Sequence, residues 1–344
     1  MMRIDATGTG TGGKKTRVAR ALRRAFIVHA AVLAMLGVAF GGWMAVPPRG
    51  SGSGTVEVLR AAAPDAIPQP RTYTTRDGST LQYRLYGKHA DLLLLLVHGS
   101  TTDGRSLHLL ASRLASTGAA TVAVPDLRGH GERPARRGDV DHVGQLEDDL
   151  ADLLAHLRVA LPATRVVLGG HSLGGGLVIR FAGGARGSSV DAYLLLAPFL
   201  HHSAPTARPQ GGGWAVPHVG RFAVLSILNA LGVHTFDGAT VIAFDVPSDR
   251  LDHHTTSTYS YRMQTSFAPR DYRTDITSMS QPLLLVVGRE DETLLPEAFE
   301  VAVRPHHPTA EIVVVDGATH VGIVTDATAA DLVHSWLTHG FKLR

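Results

Sequence analysis

Three residues of this chain have the types and spacing needed for acyl-transfer chemistry: one serine, one aspartate and one histidine. Ser172 stands in Gly170-His171-Ser172-Leu173-Gly174, a G-x-S-x-G. Behind it the apolar run Val166 to Leu168 reads as a buried strand, and ahead of it Leu173 to Phe181 reads as a helix. A serine between the two sits on a sharp turn that needs glycine two residues before and two after it, because side chains there collide with backbone. The turn pushes the hydroxyl out above the sheet. It also leaves the Leu173 NH at a helix N-terminus, where developing negative charge is favoured. Chance alone gives about 0.2 such matches in a chain this rich in glycine, so the pattern needs partners.

A serine hydroxyl is a poor nucleophile near neutral pH until a base takes its proton, and the base needs an orienting carboxylate. His320 closes Val315-Asp-Gly-Ala-Thr-His320 after one apolar run, and Asp291 closes Val287-Gly-Arg-Glu-Asp291 after another. Glu290 and Glu292 flank Asp291, and Asp316 is an alternative partner four residues from His320. Serine, aspartate, histidine is the chain order in which open α/β sheets assemble this chemistry at their strand ends.

The elements that must position these groups are legible as alternating strands and helices. Strands are expected at Thr80 to Tyr86, Leu92 to Val97, Thr121 to Val124, Val166 to Leu168, Ala192 to Leu196, Leu283 to Val287 and Ile312 to Val315. Helices are expected after Asp103, from about Val143 to Leu161, after Ser172, near Pro296 to Val303 and near Ala327 to Leu337. This alternation argues for an α/β fold with a mainly parallel, doubly wound sheet, whose working groups collect at the carboxyl ends of the strands. His98-Gly99-Ser100, Asp126, Ser172, Asp291 and His320 all stand just past such ends.

Together with His98-Gly99 and the loop Asp126-Leu-Arg-Gly-His-Gly131, these motifs make the domain resemble an α/β-hydrolase. Within that superfamily it is similar to the serine aminopeptidase, monoacylglycerol lipase and lysophospholipase group, over roughly residues 72 to 342. The resemblance implies Ser172 as nucleophile, His320 as base and Asp291 as acid, with an oxyanion hole from the backbone NH groups of Leu173 and Ser100. Family members that follow His-Gly with further glycines differ from this chain, which has Ser100-Thr101. No cofactor is expected. His98, Asp126, Arg128 and His130 are read as loop-fixing residues.

The resemblance also implies a lid between the sixth and seventh strands of the sheet, here residues 199–280, with the core formed by 71–198 and 281–344. Trp214 and Phe222 are among its apolar residues, and with His171 they are the candidate substrate contacts. A short mobile cap with an apolar inner face is expected. Its paired histidines, His201-His202 and His253-His254, lack the helical spacing and the carboxylates of a metal site, so no metal is expected.

The amino-terminal part reads differently. Residues 1–24 hold seven basic residues against Asp5, a net +6 in a chain of net +3, so the remainder is slightly acidic and nucleic acid is not an expected partner. Residues 25–46 contain no Asp, Glu, Lys or Arg, and 22 such residues suffice to cross a bilayer as a helix. Basic residues before this stretch place the tail on the cytoplasmic side and the catalytic domain outside. An uncleaved anchor is preferred to a cleaved signal peptide because the apolar stretch is long and no small-x-small site follows it. Residues 47–70, rich in proline and glycine, read as a flexible linker. The chain has no cysteine, which excludes thiol chemistry. The expected activity is cleavage of small-molecule or lipid esters, with a peptidase or amidase, or a non-catalytic binding protein on the same scaffold, as alternatives.

Overall fold

A computed structural model describes residues 67–88, 91–161 and 165–340, and, nearer the amino terminus, 23, 26, 27, 30, 31, 35, 37–46 and 48. Residues up to Val46 form one compact unit and Pro47–Arg344 another. The described residues of the first unit are helical through 45 (α1), with Phe40 and Trp43 rings 6.0 Å apart. No helix among the described residues is long and apolar enough to cross a membrane. Residues 25, 28, 29, 32–34 and 36 of the expected span at 25–46 lie outside the described residues, as do nearly all of the basic tail at 1–24 and most of the linker at 47–70.

The second unit is built on an eight-stranded sheet in the order β1-β2-β4-β3-β5-β6-β10-β11. Its strands are β1 (Arg71–Thr74), β2 (Thr80–Tyr86), β3 (Leu92–Val97), β4 (Thr121–Asp126), β5 (Arg165–His171), β6 (Ala192–Leu196), β10 (Leu283–Gly288) and β11 (Glu311–Val315). The pairs β1–β2 and β2–β4 are antiparallel and all others parallel. Every residue of β3, β4, β6 and β10 is buried, which is why these segments read as largely apolar and not as alternating. Helices α2 (His108–Ser116), α3 (Gln145–Ala160), α4 (Leu173–Ala182), α8 (Phe299–Val303) and α9 (Ala327–Ser335) cover the sheet. In α3, Leu146, Leu150, Leu153, Leu154 and Leu157 recur at helical spacing and are all buried.

Between β6 and β10 lie residues 199–280, the stretch expected to form the lid. It carries a three-stranded antiparallel sheet of β7 (Ala215–Pro217), β8 (Thr240–Phe244) and β9 (Thr258–Ser260), with α5 (Val219–Ala230) between its first two strands. The chain then forms α6 (Tyr261–Phe267) and α7 (Tyr272–Thr277), which pack on α4. This stretch is therefore ordered structure tied into the core at both ends. At its entry Leu295 NH donates to the Thr206 carbonyl, and Arg208 reaches the carbonyls of Leu294 (2.8 Å) and Asp291 (3.3 Å).

Candidate active site

The central strand β5 ends at His171 and α4 begins at Leu173, so Ser172 alone makes the turn. Its φ of 54° and ψ of −122° lie where few non-glycine residues are found, a conformation costing about 1–3 kcal/mol that the surroundings must hold in place. They do so by hydrogen bonds: Ser172 NH donates to Leu196 O (3.0 Å), and Ser172 O accepts from Gly176 NH (3.1 Å) and Phe199 NH (2.9 Å). The flanking glycines permit the close approach. A Cβ on Gly170 would strike the Gly174 carbonyl, and one on Gly174 would strike the carbonyls of His98 and Val97.

The structure brings Ser172, His320 and Asp291 into one hydrogen-bonded run. Ser172 Oγ lies 2.9 Å from His320 Nε2, and His320 Nδ1 lies 2.8 Å from Asp291 Oδ2. The other carboxylate oxygen, Oδ1, accepts from the NH groups of Thr293 (2.8 Å) and Leu294 (2.7 Å). With Oδ1 so occupied, Oδ2 is the acceptor for an Nδ1-protonated imidazole, which leaves the Nε2 lone pair facing the serine. Asp291 is almost fully buried, so these donors must replace the water its carboxylate has lost.

The neighbouring carboxylates take other tasks. Glu292 accepts from His320 NH at 3.0 Å, fixing the backbone of that histidine. Asp316, the alternative partner for His320, instead pairs with Arg289 on the surface. Glu290 is exposed. His171 is buried, and its Nε2 donates to the His320 carbonyl at 2.9 Å. Burial, helped by the nearby His320, pulls the pKa of His171 down to about 3, so it stands as a neutral ring bracing His320. That is a different task from the substrate contact expected of it.

The loop after β3 completes the surroundings of the elbow. His98 Nε2 accepts from Leu127 NH (3.1 Å), so Nδ1 carries the proton and donates to Gly99 O (2.8 Å). Asp126 Oδ1 accepts from Gly104 NH (2.9 Å) and Arg84 (2.7 Å), and Arg128 pairs with Asp149 at 2.8 Å. His98, Asp126 and Arg128 thus tie loops together, as read from sequence. Ser100 NH and Leu173 NH donate to no protein acceptor among the described residues. A Cβ on Gly99 would lie 3.1 Å from Ser172 Cβ, so this loop runs against the serine. Trp214 reaches the same loop, its Nε1 3.4 Å from Ser100 Oγ. Phe222 packs on Tyr261 with ring centroids 5.1 Å apart.

Sequence reasoning did not find Glu292 as a backbone acceptor, Arg208 behind the acid loop, or Tyr259, which meets Thr101 NH at 3.0 Å and His130 Nε2 at 2.7 Å. Tyr259 and Thr101 are 158 residues apart, a separation that no local pattern reports.

Among known proteins, a family model described as serine aminopeptidase, S33, matches residues 88–326. Lipase LipV and the uncharacterized protein Rv2715, both of Mycobacterium tuberculosis, are each 32% identical to the chain, over 123 and 118 residues. Each alignment covers 34% of this chain, with 41% of the length of LipV and 32% of that of Rv2715, so the chain matches well under half of each curated relative. Among solved structures, a soluble variant of monoglyceride lipase from Saccharomyces cerevisiae, in complex with a substrate analogue, superposes with a TM-score of 0.58 at 16% identity, covering 83% of this chain and 99% of that one. The monoacylglycerol lipase of Paleococcus ferrophilus gives 0.60 at 21% identity, covering 76% and 99%. At these identities the likeness is one of fold.

Proposed function

The chain belongs to the serine aminopeptidase S33 family, and from that premise we propose that it is a serine hydrolase cleaving carboxylic esters of lipid or monoacyl type. The observation that carries this reading is the run Ser172–His320–Asp291, with distances of 2.9 and 2.8 Å. In the proposed reaction His320 Nε2 takes the Ser172 proton as Oγ attacks the ester carbonyl carbon, and the carbonyl π electrons move onto oxygen. The resulting oxyanion lies between Leu173 NH and Ser100 NH, two donors with no other acceptor among the described residues. Collapse breaks the bond to the alcohol, which leaves with the proton from His320. Water, deprotonated by the same histidine, then releases the acid and restores Ser172.

The ester class is supported by the names of LipV and of the two monoacylglycerol lipases that share the fold. The test is to incubate the full chain with a fluorophosphonate and to map the adduct. Labelling at Ser172, absent from Ser172→Ala, is expected, and a folded but unlabelled protein would sink the proposal. Turnover of p-nitrophenyl esters of graded chain length, set against aminoacyl anilides, then separates ester from peptide cleavage.

We further propose that residues 25–46 anchor the enzyme in a membrane with the catalytic domain on the outer side. Support comes from the uncharged stretch and the basic residues before it.

A further inference from the structure

The Ser100 NH can serve an oxyanion only if the loop carrying it is held still, and that loop is held from the lid. Thr101, the next residue, sits at φ 65°, in the left-handed region that favours glycine, so it does not keep this shape by preference. Its NH donates to the Tyr259 hydroxyl at 3.0 Å, and its carbonyl accepts from Thr256 NH at 2.9 Å. Two residues further on, Asp103 pairs with His254 at 3.0 Å. Residues 254–259 thus run beside 101–103 and meet them at three places, while Thr256 also donates to Gly129 O at 3.3 Å.

The polarity of the contacts at Tyr259 is determined. His130 Nδ1 lies 3.1 Å from the Arg128 carbonyl, which can only accept, so Nδ1 carries the proton and Nε2 is a lone pair. The Tyr259 O–H, 2.7 Å away, therefore donates to His130, and its oxygen is left to accept the Thr101 NH. The phenol is fully buried, stacked on Phe267 at 5.5 Å and edge-on to Phe244 at 4.9 Å, so it has no room to turn aside. Burial also keeps it protonated, by pushing its pKa well above the usual range. Because Tyr259 takes the Thr101 NH, that group is withdrawn from the serine, and Ser100 NH is the donor the loop has left to offer.

Resting on the hydrolase reading above, we infer that Tyr259 is a positioning residue: it sets the backbone at Thr101 so that the Ser100 NH points at the developing oxyanion. The lid is then a working part of transition-state binding as well as a cover, since the hydroxyl that aims the donor belongs to β9.

The test uses Tyr259→Phe in the full chain, with folding checked by circular dichroism. Loss of one correctly placed donor costs about 100- to 1000-fold in kcat, and a donor merely loosened should cost about 10- to 100-fold. The expected result is a kcat on a p-nitrophenyl ester lowered by that factor, KM within about threefold of wild type, and affinity for a boronic acid that forms a tetrahedral adduct lowered in parallel with kcat/KM. A folded variant with wild-type kcat overturns the inference, and so does a lowered kcat with unchanged boronic acid affinity. If phenylalanine prevents folding, fluorotyrosine at position 259 keeps the shape while weakening the acceptor oxygen. It should shift the Thr101 amide resonance and lower kcat about two- to fivefold, and no change in either would overturn the inference. A wild-type protein that the fluorophosphonate does not label would remove the hydrolase reading and this inference together. A labelled wild type beside an unaffected Tyr259→Phe variant would remove only this one.

Discussion

His98, His130 and His171 surround the elbow as neutral rings, each serving as acceptor or donor in a fixed direction. Burial is the main force pulling their pKa values down, for His130 and His171 to about 3. In the unfolded chain a histidine titrates near 6.5, so below that pH the unfolded state binds protons that the folded state refuses. The stability they contribute is therefore complete above about pH 6.5 and is lost as the pH falls toward the folded values, at up to about 1.4 kcal/mol per pH unit per residue. Urea unfolding at pH 7 and pH 5 should differ by about 2 kcal/mol for each of His130 and His171. His130→Gln, which keeps a hydrogen-bonding group and removes the titration, should flatten the difference by about that amount. Equal stability of the wild type at the two pH values would refute this account. The candidate triad was legible in the sequence because each member ends an apolar run, and an apolar run is what a strand buried on both faces must be. The bracing by His171, Glu292 and Tyr259 was not legible, because each acts through a backbone group that the fold brings near from a distant part of the chain.

Among the elements, the turn from β5 to α4 carries a strain that its sequence announces. Ser172 holds φ 54°, a conformation glycine adopts freely. Ser172→Gly should therefore exceed Ser172→Ala in stability by about 1 kcal/mol, after the entropy of glycine in the unfolded chain is set against the relieved strain. For a domain of this size that corresponds to a melting temperature about 2–4 °C higher, both variants being inactive. Equal melting temperatures would show that the turn is unstrained. Strands β2, β3 and β6 match their expected bounds residue for residue, β3 and β6 because their apolar runs end sharply and β2 because its side chains alternate in character. The region near Pro296 divides into a 3-10 turn at Pro296–Ala298 and the short α8, the proline fitting the first turn where no NH is needed. The edge strand β1 went unread because Arg-Thr-Tyr-Thr shows no apolar run. The lid strands went unread for a related reason: they are three to five residues long, and their pairing partners lie far along the chain.

For the whole molecule, composition separates a basic, apolar amino-terminal part from a slightly acidic α/β domain, and the structure likewise divides at Val46. If residues 25–46 anchor the chain, the protein should stay in the membrane pellet after washing with alkaline carbonate and leave it only with detergent. Complete release by carbonate would refute the anchor. The parallel pairing of β6 with β10, which aligns Leu194 with Leu284 across the lid, has a further consequence for how the enzyme comes into being. A ribosome delivers Ser172 long before Asp291 and His320, which are 119 and 148 residues downstream. Until β10 and β11 have been made and added to the sheet, Ser172 of the nascent chain has neither of its proposed partners, and on that reading it is chemically inert. On the proposed hydrolase reading, activity can arise only once β10 and β11 have joined the sheet, and its appearance in a refolding reaction would time that step.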